Sequence, residues 1–388
     1  MTTSAVVFTN QKTALLAGEE LGKQIAEKMK DHAPHVVILF ASSTYDYSIL
    51  LKSIKAHCRP DIIVGSSSAG EFTSQNFGTD SACAVAIHST DLKFSAGLAE
   101  GIKNSRETVT ENLYKSLTGA QNYQYQYHSA MIFADALSGY TDELIDLLTE
   151  KTGGMYQFFG GGAGDNANFK RTDVFLNDQV ATDSAVILEI LSNKPIGVGV
   201  SHGWHATGQK MRVTEMEGMR LISLNAMPAV DVFAEYATQT AQTFNTEDPI
   251  PFFLHNVLGI ETADGYKLRV PLGVEEDGSI LLASDIPEGS YVSFMSTDTD
   301  SASAAALAAA EAALKQMDGV KPHVALFFDC VATRLRMGKD FNFELAQVKE
   351  TLQAINYVGC NTYGQVARVN GQFSGFHNCT AVVCIIPE

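Results

Sequence analysis

The chain is expected to fold as an α/β protein built from repeated β-α-β-α-β modules with mostly parallel sheets, plus an antiparallel β insertion between the second and third modules. Three observations predict this. First, His35-Val-Val-Ile-Leu-Phe-Ala41, His128-Ser-Ala-Met-Ile-Phe-Ala134 and His323-Val-Ala-Leu-Phe-Phe-Asp329 align without gaps. Each is a short apolar run of the kind a buried parallel strand requires. Second, each run precedes a stretch (46–56, 140–151, 343–355) with apolar residues three and four apart, as on a helix covering one sheet face. Third, each stretch leads to a short strand and a glycine-rich turn. These are Val64-Gly65-Ser-Ser-Ser-Ala-Gly70-Glu71, Phe159-Gly160-Gly-Gly-Ala-Gly164-Asp165 and Val358-Gly359-Cys-Asn-Thr-Tyr-Gly364-Gln365.

The flanking elements follow in order. Each module opens with a strand and a helix, at 6–8 and 13–30, 93–98 and 106–117, and 291–295 and 301–317, and closes with a strand at 82–88, 185–191 and 380–386. The modules therefore span 4–89, 92–191 and 290–388. Hairpin signals at Asp264-Gly265 and Asp277-Gly278 mark 195–289 as the antiparallel insertion. With helices packed on largely parallel sheets, ligands belong beyond the carboxyl ends of the strands, where the glycine turns and Cys330 lie.

Composition narrows the function. With 388 residues, 45% apolar and 18% charged, the chain exceeds what one core usually serves. Lys plus Arg number 27 against 44 Asp plus Glu, a net charge of −17 that argues against nucleic acid and anionic membrane surfaces as partners. The amino terminus has no signal-peptide pattern and the apolar runs are strand-sized, so a cytoplasmic protein is expected. Six cysteines without a C-x-x-C pair suit reduced thiols.

Catalytic motifs fit poorly, and no enzyme is expected. Gly65-x-x-x-x-Gly70 and Gly359-x-x-x-x-Gly364 have phosphate-loop spacing, but Glu71 and Gln365 stand where that loop needs Lys. Ser66, Ser67 and Ser68 lack the flanking glycines of a nucleophile elbow. An enzyme using Cys330 or Ser68 as nucleophile is the reading from another class. His35, His128 and His323 share one strand-start position and a structural task. Ser201-His202-Gly203-Trp204-His205 combines two imidazoles with the only Trp, a combination that suits the edge of a flat apolar cofactor and equally an ordinary loop.

Val64-Gly65-Ser-Ser-Ser-Ala-Gly70-Glu71, Gly161-Gly162-Ala-Gly-Asp165, His202-Gly203-Trp204, Val213-Thr214 with Pro228-Ala229, Cys330 with Arg334, and Gly364 with His377-Asn378-x-Thr380 resemble, in this order, the FIST (F-box and intracellular signal transduction) proteins. The resemblance implies a FIST N-terminal domain over 1–245 and a C-terminal one over 246–388. It implies a non-enzymatic sensor that binds a small ligand and signals to a separate protein. The chain resembles the stand-alone bacterial branch of the family, which implies nitric oxide sensing through haem and regulation of a histidine kinase in two-component or cyclic-di-GMP signalling. Amino acids are the alternative ligand class. The chain departs from the family pattern at Gln365 and Cys379. Haem and iron are expected at His202 or His205, with Trp204, His255 and His377 as further cofactor contacts. A ligand is expected at Ser66, Ser68, Gly70, Glu71, Gly162, Asp165, Cys330, Arg334, Tyr363 and Gly364, where the serines and Glu71 would hold an ammonium group. A homodimer is compatible with open sheet edges.

Overall fold

The computed structural model describes residues 1–30, 32–121, 124–263, 265–369 and 374–388. Its first unit comprises β1 (Thr2–Thr9), α1 (Ala14–Met29), β2 (Val36–Ser42), α2 (Tyr47–Cys58), β3 (Ile62–Ser68), the hairpin β4 (Glu71–Thr73) and β5 (Phe77–Gly78), and β6 (Ala82–Ser89). The second repeats the plan with β7 (Leu92–Glu100), α3 (Arg106–Lys115), β8 (Tyr127–Ala134), α4 (Thr141–Lys151), β9 (Tyr156–Gly162), the hairpin β10 (Val174–Leu176) and β11 (Gln179–Ala181), and β12 (Ser184–Ser192).

The third unit opens with β13 (Gly197–Ser201) and is then interrupted. The interruption holds β14 (His205–Glu217), β15 (Arg220–Leu224), β16 (Met227–Pro228), α5 (Ala229–Gln239), α6 (Ile250–Phe253), β17 (Val257–Thr262), β18 (Gly265–Arg269), β19 (Pro271–Val274), β20 (Ile280–Leu282) and β21 (Tyr291–Ser296). The unit resumes with α7 (Thr299–Gln316), β22 (Pro322–Cys330), α8 (Val331–Met337), α9 (Phe341–Leu352), β23 (Asn356–Thr362), the hairpin β24 (Gln365–Arg368) and β25 (Ser374–His377), and β26 (Ala381–Pro387).

The expectation of mostly parallel sheets does not hold. The fold is mixed α/β with four sheets that are antiparallel or mixed. Each unit has one parallel pair, β2 with β3, β8 with β9, and β22 with β23. The closing strand of each unit, β6, β12 or β26, wedges between the opening strand and the His-initiated strand, antiparallel to both. The helices do connect strands of like direction. The wedge turns their ladders antiparallel, and alternation of helices and strands in sequence carries no trace of it.

The placement of the insertion is corrected as well. It lies inside the third unit, after β13, and Tyr291–Ser296, expected to open that unit, belongs to the inserted sheet, where it pairs with β14 and β17. That sheet has eight strands, all paired antiparallel, packed on Phe233, Tyr236, Phe252 and Phe253 of α5 and α6. The Asp277-Gly278 turn joins β19 to β20, whereas Asp264 of the other expected hairpin lies outside the described residues.

The small hairpins are exchanged in a closed cycle. β4 of the first unit pairs with β23 of the third, β24 of the third with β9 of the second, and β10 of the second with β3 of the first. The inner faces of the three sheets share one core, at whose centre the equivalent residues Phe40, Phe133 and Phe328 meet with ring centroids 5.4, 5.4 and 5.7 Å apart. The outer faces are covered by α1 and α2, by α3 and α4, and by α7 and α9.

Candidate functional site

The exchange of hairpins brings the three glycine turns together. Ala69 N donates to Asn361 O at 2.9 Å and Asn361 N to Gly70 O at 2.8 Å, joining the first turn to the third. Gly164 N donates to Ser67 O at 3.0 Å, joining the second to the first. Gly162 N donates to Gly364 O at 2.9 Å and Tyr363 N to Gly162 O at 3.0 Å, joining the third to the second. The glycines serve this approach: a Cβ on Gly162 would lie 2.6 Å from Tyr363 O, and one on Gly70, at φ +149°, would lie 2.7 Å from Asn361 Oδ1.

Several candidate residues turn out to hold the turns themselves. Glu71 is fully buried, and its carboxyl accepts from Ser68 Oγ at 2.6 Å, Ser81 Oγ at 2.7 Å and Ser81 N at 3.2 Å. Burial pushes it up to about 8, against the pull of those hydrogen bonds and of Arg334. Gln365 repeats the arrangement in the third unit, donating to Thr362 Oγ1 at 2.8 Å and accepting from Thr380 N at 3.1 Å. Asp165 accepts from the backbone of Phe169, Lys170 and Arg171 and from the Tyr363 hydroxyl, so it fixes its own loop. With these acceptors occupied, neither Glu71 nor Asp165 presents an unused carboxylate to an ammonium group.

Other polar atoms beside the turns have no partner among the described residues. Ser66 Oγ is buried and unpaired on the inner face of β3. Arg334 on α8 donates from Nη2 to Asn166 Oδ1 at 2.9 Å, but its Nε is buried and unpaired. Asn361 Oδ1 is likewise buried and unpaired. Arg334 Cδ and Asn361 Oδ1 both flank the space left by the missing side chain of Gly70, at 3.6 and 2.7 Å from its Cβ position.

On the far side of Tyr363 an apolar cleft of about 70 Å³ separates the three-unit body from the inserted sheet. Cys330, Val331, Leu335, Tyr363 and Gly364 line it from one side, and Phe253, Leu254, Val270 and Leu272 from the other. Phe169 stacks on Tyr363 with centroids 4.7 Å apart and forms part of the wall. A wider polar trough of about 730 Å³ lies beyond the carboxyl end of β2, between Tyr45, Asp46 and Tyr47 and the 165–173 loop. Cys330, Arg334, Tyr363 and Gly364 thus gather at one end of the molecule with Gly70, Gly162 and Asn361.

The candidate histidines differ in their surroundings. His202 uses both nitrogens: Nε2 meets Tyr266 O at 2.9 Å and Nδ1 accepts from Trp204 N at 3.3 Å. The crevice beside His202 and Trp204 holds about 10 Å³, less than the ~30 Å³ share of one liquid water. His205 and His255 are exposed. His377 is buried, and burial with the nearby charges of Lys267 and Arg269 pushes it down to about 3. A haem needs an accessible imidazole nitrogen facing a slot for a flat macrocycle. The residues at 202–205 do not fit that requirement in this conformation. Among the described residues, no three His, Cys, Asp or Glu side chains are grouped to hold a metal ion, and no helix is long and apolar enough to cross a membrane.

Sequence reasoning passed over Asn361, although it lies within the third glycine turn. It named Cys379 only as a departure from the family pattern, and the structure places that residue in the same apolar cluster as Cys330. The apolar wall at 250–254 and 270–272 carried no signal, because those residues read as ordinary core.

Two family models match the chain. The FIST N domain model matches residues 35–227 and the FIST C domain model residues 229–368. An uncharacterized protein of Methanocaldococcus jannaschii is 20% identical over 307 residues, covering 74% of this chain. The chain spans 59% of the length of that relative. Among solved structures, phosphoribosylformylglycinamidine synthase II of Thermotoga maritima covers 99% of this chain and 71% of its own at 9% identity and a TM-score of 0.22. PurLQS of the same organism covers 99% and 72% at 9% identity and a TM-score of 0.23. Likenesses so slight carry no argument. The two domain models account for most of the sequence, and the chain belongs to the FIST family of sensory, small-ligand-binding domains of signal transduction.

Proposed function

We propose that this FIST protein senses a small zwitterionic molecule, an amino acid or a close relative, at the junction of the three glycine turns and the adjoining apolar cleft. One observation carries the reading. Arg334 Nε and Asn361 Oδ1, a donor and an acceptor, are buried without partners among the described residues, and both side chains border the space beside Gly70. Leaving such groups unpaired costs about 1–3 kcal/mol each, so they mark a place prepared for a polar guest. A carboxylate would take the guanidinium, an ammonium group the amide oxygen, and an apolar side chain the cleft walled by Tyr363 and Leu335.

Because the cleft lies between the inserted sheet and the three-unit body, a ligand that fills it would bias their packing, and that change is what a partner would read. A histidine kinase is the partner class the family resemblance implies, and a net charge of −17 favours a basic docking face. Haem-based nitric oxide sensing is the competing reading.

The test is a calorimetric and thermal-shift screen of the full chain against the standard amino acids, repeated with Arg334→Gln and Arg334→Lys. At least one aliphatic amino acid is expected to bind, with affinity reduced about tenfold or more in Arg334→Gln, the loss of one charge-assisted hydrogen bond. A screen without any binder, or unchanged affinity in Arg334→Gln, would remove the proposal. A Soret band after incubation with haem that moves with nitric oxide would favour the competing reading.

A further inference from the structure

We infer that the segment from Asn166 to Phe169 is a strap latched onto Arg334, and that the carboxylate of a bound ligand opens it by taking Arg334 from Asn166. The inference concerns the regulation of the site proposed above and rests on a ligand lying beside Arg334.

The backbone of the strap is held away from its preferred conformation. Asn166, Ala167 and Phe169 stand at φ +57°, +61° and +51°, in the left-handed region. Asn tolerates that region, whereas Ala and Phe adopt it only where surrounding contacts impose it. Such a segment relaxes when those contacts are removed.

The ends of the strap are tied to the first two units. Asp165 accepts from Phe169 N at 2.8 Å, Lys170 N at 2.7 Å and Arg171 N at 3.0 Å, and Asp173 N donates to Ser67 Oγ at 2.9 Å. The middle of the strap reaches across to the third unit. Asn166 Oδ1 accepts from Arg334 Nη2 at 2.9 Å, and the Phe169 ring stacks on Tyr363 with centroids 4.7 Å apart. Ala167 rests against the small cluster of Ala69, Val331 and Tyr363.

Arg334 and Tyr363 are also the residues assigned to the ligand, so a guest competes with the strap for them. Arg334 Nε is buried and without a partner among the described residues. A carboxylate drawn to it meets Nη2 on the same side of the guanidinium, and a bidentate pair of this kind outcompetes a single neutral amide oxygen. Asn166 then loses its donor. The strap has room to move, because Asn168 and Lys170 border the polar trough of about 730 Å³ on its other face. Phe169 is already 43% exposed, so lifting it off Tyr363 returns little apolar surface to water and opens one wall of the cleft. Opening also repositions Lys170 and Arg171, two exposed cations on a chain of net charge −17, a change that a partner can read.

The experiment is limited trypsin digestion of the folded full chain, with cleavage after Lys170 and Arg171 followed by mass spectrometry. A protease needs this backbone lifted away from Asp165, so the rate follows the population of the open strap. Without ligand, Asn166→Ala and Arg334→Gln should each raise that rate about tenfold, the loss of one charge-assisted hydrogen bond, and the double variant should be no faster than either alone. Asn166→Gly, which accepts the left-handed backbone without strain, should show the same rise. Unchanged rates in the single variants, effects that multiply in the double variant, or no rise in Asn166→Gly overturn the latch.

The standard amino acids are then added singly to the wild type. Each one that binds by calorimetry should speed cleavage after Lys170 and Arg171, and should bind Asn166→Ala about tenfold more tightly, because the competing contact is gone. A bound amino acid that slows cleavage or leaves it unchanged overturns the strap inference and leaves the ligand reading in place. No binder at all, with the ligand-free rates as expected, removes the ligand reading and with it the cause of opening, while the latch stands.

Discussion

At the scale of single residues, Glu71 and Gln365 show how one position can be read two ways. Both tie a glycine turn to the start of a closing strand, Glu71 through Ser68 and Ser81, Gln365 through Thr362 and Thr380. A neutral amide does in the third unit what a carboxyl does in the first. The folded state holds the Glu71 proton up to about 8, and the unfolded chain releases it near 4.5. Stability from this group is therefore fully present below about pH 4.5 and is lost as pH rises towards 8. Glu71→Gln should match the wild type near pH 4.5 and exceed it by about 4 kcal/mol at pH 8, as read by urea unfolding of both proteins. A difference that does not change with pH would refute this. The sequence displayed a carboxylate beside three serines, but not that its oxygens were already occupied, and hence not that the unpaired groups are Arg334 and Asn361.

At the scale of elements, a buried ionic cluster fastens the inserted sheet to the second unit. Asp142 at the start of α4 accepts from Lys267 Nζ and Arg269 Nη2 of β18, each at 2.6 Å, and from Phe376 N at 2.9 Å. Arg269 is 1% exposed, and its remaining donors reach the carbonyls of Asp285, Leu268 and Phe376. Burial alone would raise the Asp142 carboxyl, but Arg269 and Lys267 outweigh it and hold it below the usual range. Its contribution is present above about pH 4 and is lost as pH falls below that. Asp142→Asn strands a buried guanidinium and should cost about 3–5 kcal/mol, measured by chemical denaturation at pH 7. If ligand binding moves the inserted sheet, the same variant should also change ligand affinity, and an unaltered affinity would place the signal elsewhere. Asp142 lies 125, 127 and 234 residues from Lys267, Arg269 and Phe376 in sequence. The strands 36–41, 128–134 and 323–329 were legible because a fully buried strand needs an uninterrupted apolar run. The opening strand of the third unit was not, since β13 and β21 are both short apolar runs and only their hydrogen-bonded neighbours tell them apart.

At the scale of the whole molecule, the cyclic exchange of hairpins makes the three units interdependent. The outer edges of β3, β9 and β23 are each completed by a hairpin from another unit. A fragment ending at residue 194 would leave the edge of β9 bare and β4 without its partner, and exposed edges of this kind invite aggregation. Such a fragment should fail to show cooperative thermal unfolding; a sharp two-state transition would show that two units suffice. Phe133 lies at the centre, against Phe40 and Phe328. Phe133→Ala should cost about 3–5 kcal/mol, since all three sheets surround the cavity and none can collapse alone to fill it. Little or no loss of stability would mean that the shared core is more plastic than its packing implies.

By itself the sequence determined the threefold recurrence of strand, helix and glycine turn, because buried strands, amphipathic helices and tight turns each leave a local periodicity. It also determined the family, through motifs kept in order along the chain. Only the tertiary structure decided that the closing strand wedges into each sheet, that the insertion interrupts the third unit, and that the three glycine turns meet. These are pairings between residues far apart in sequence, selected by hydrogen-bond satisfaction and core packing over the whole chain, and no local pattern encodes them.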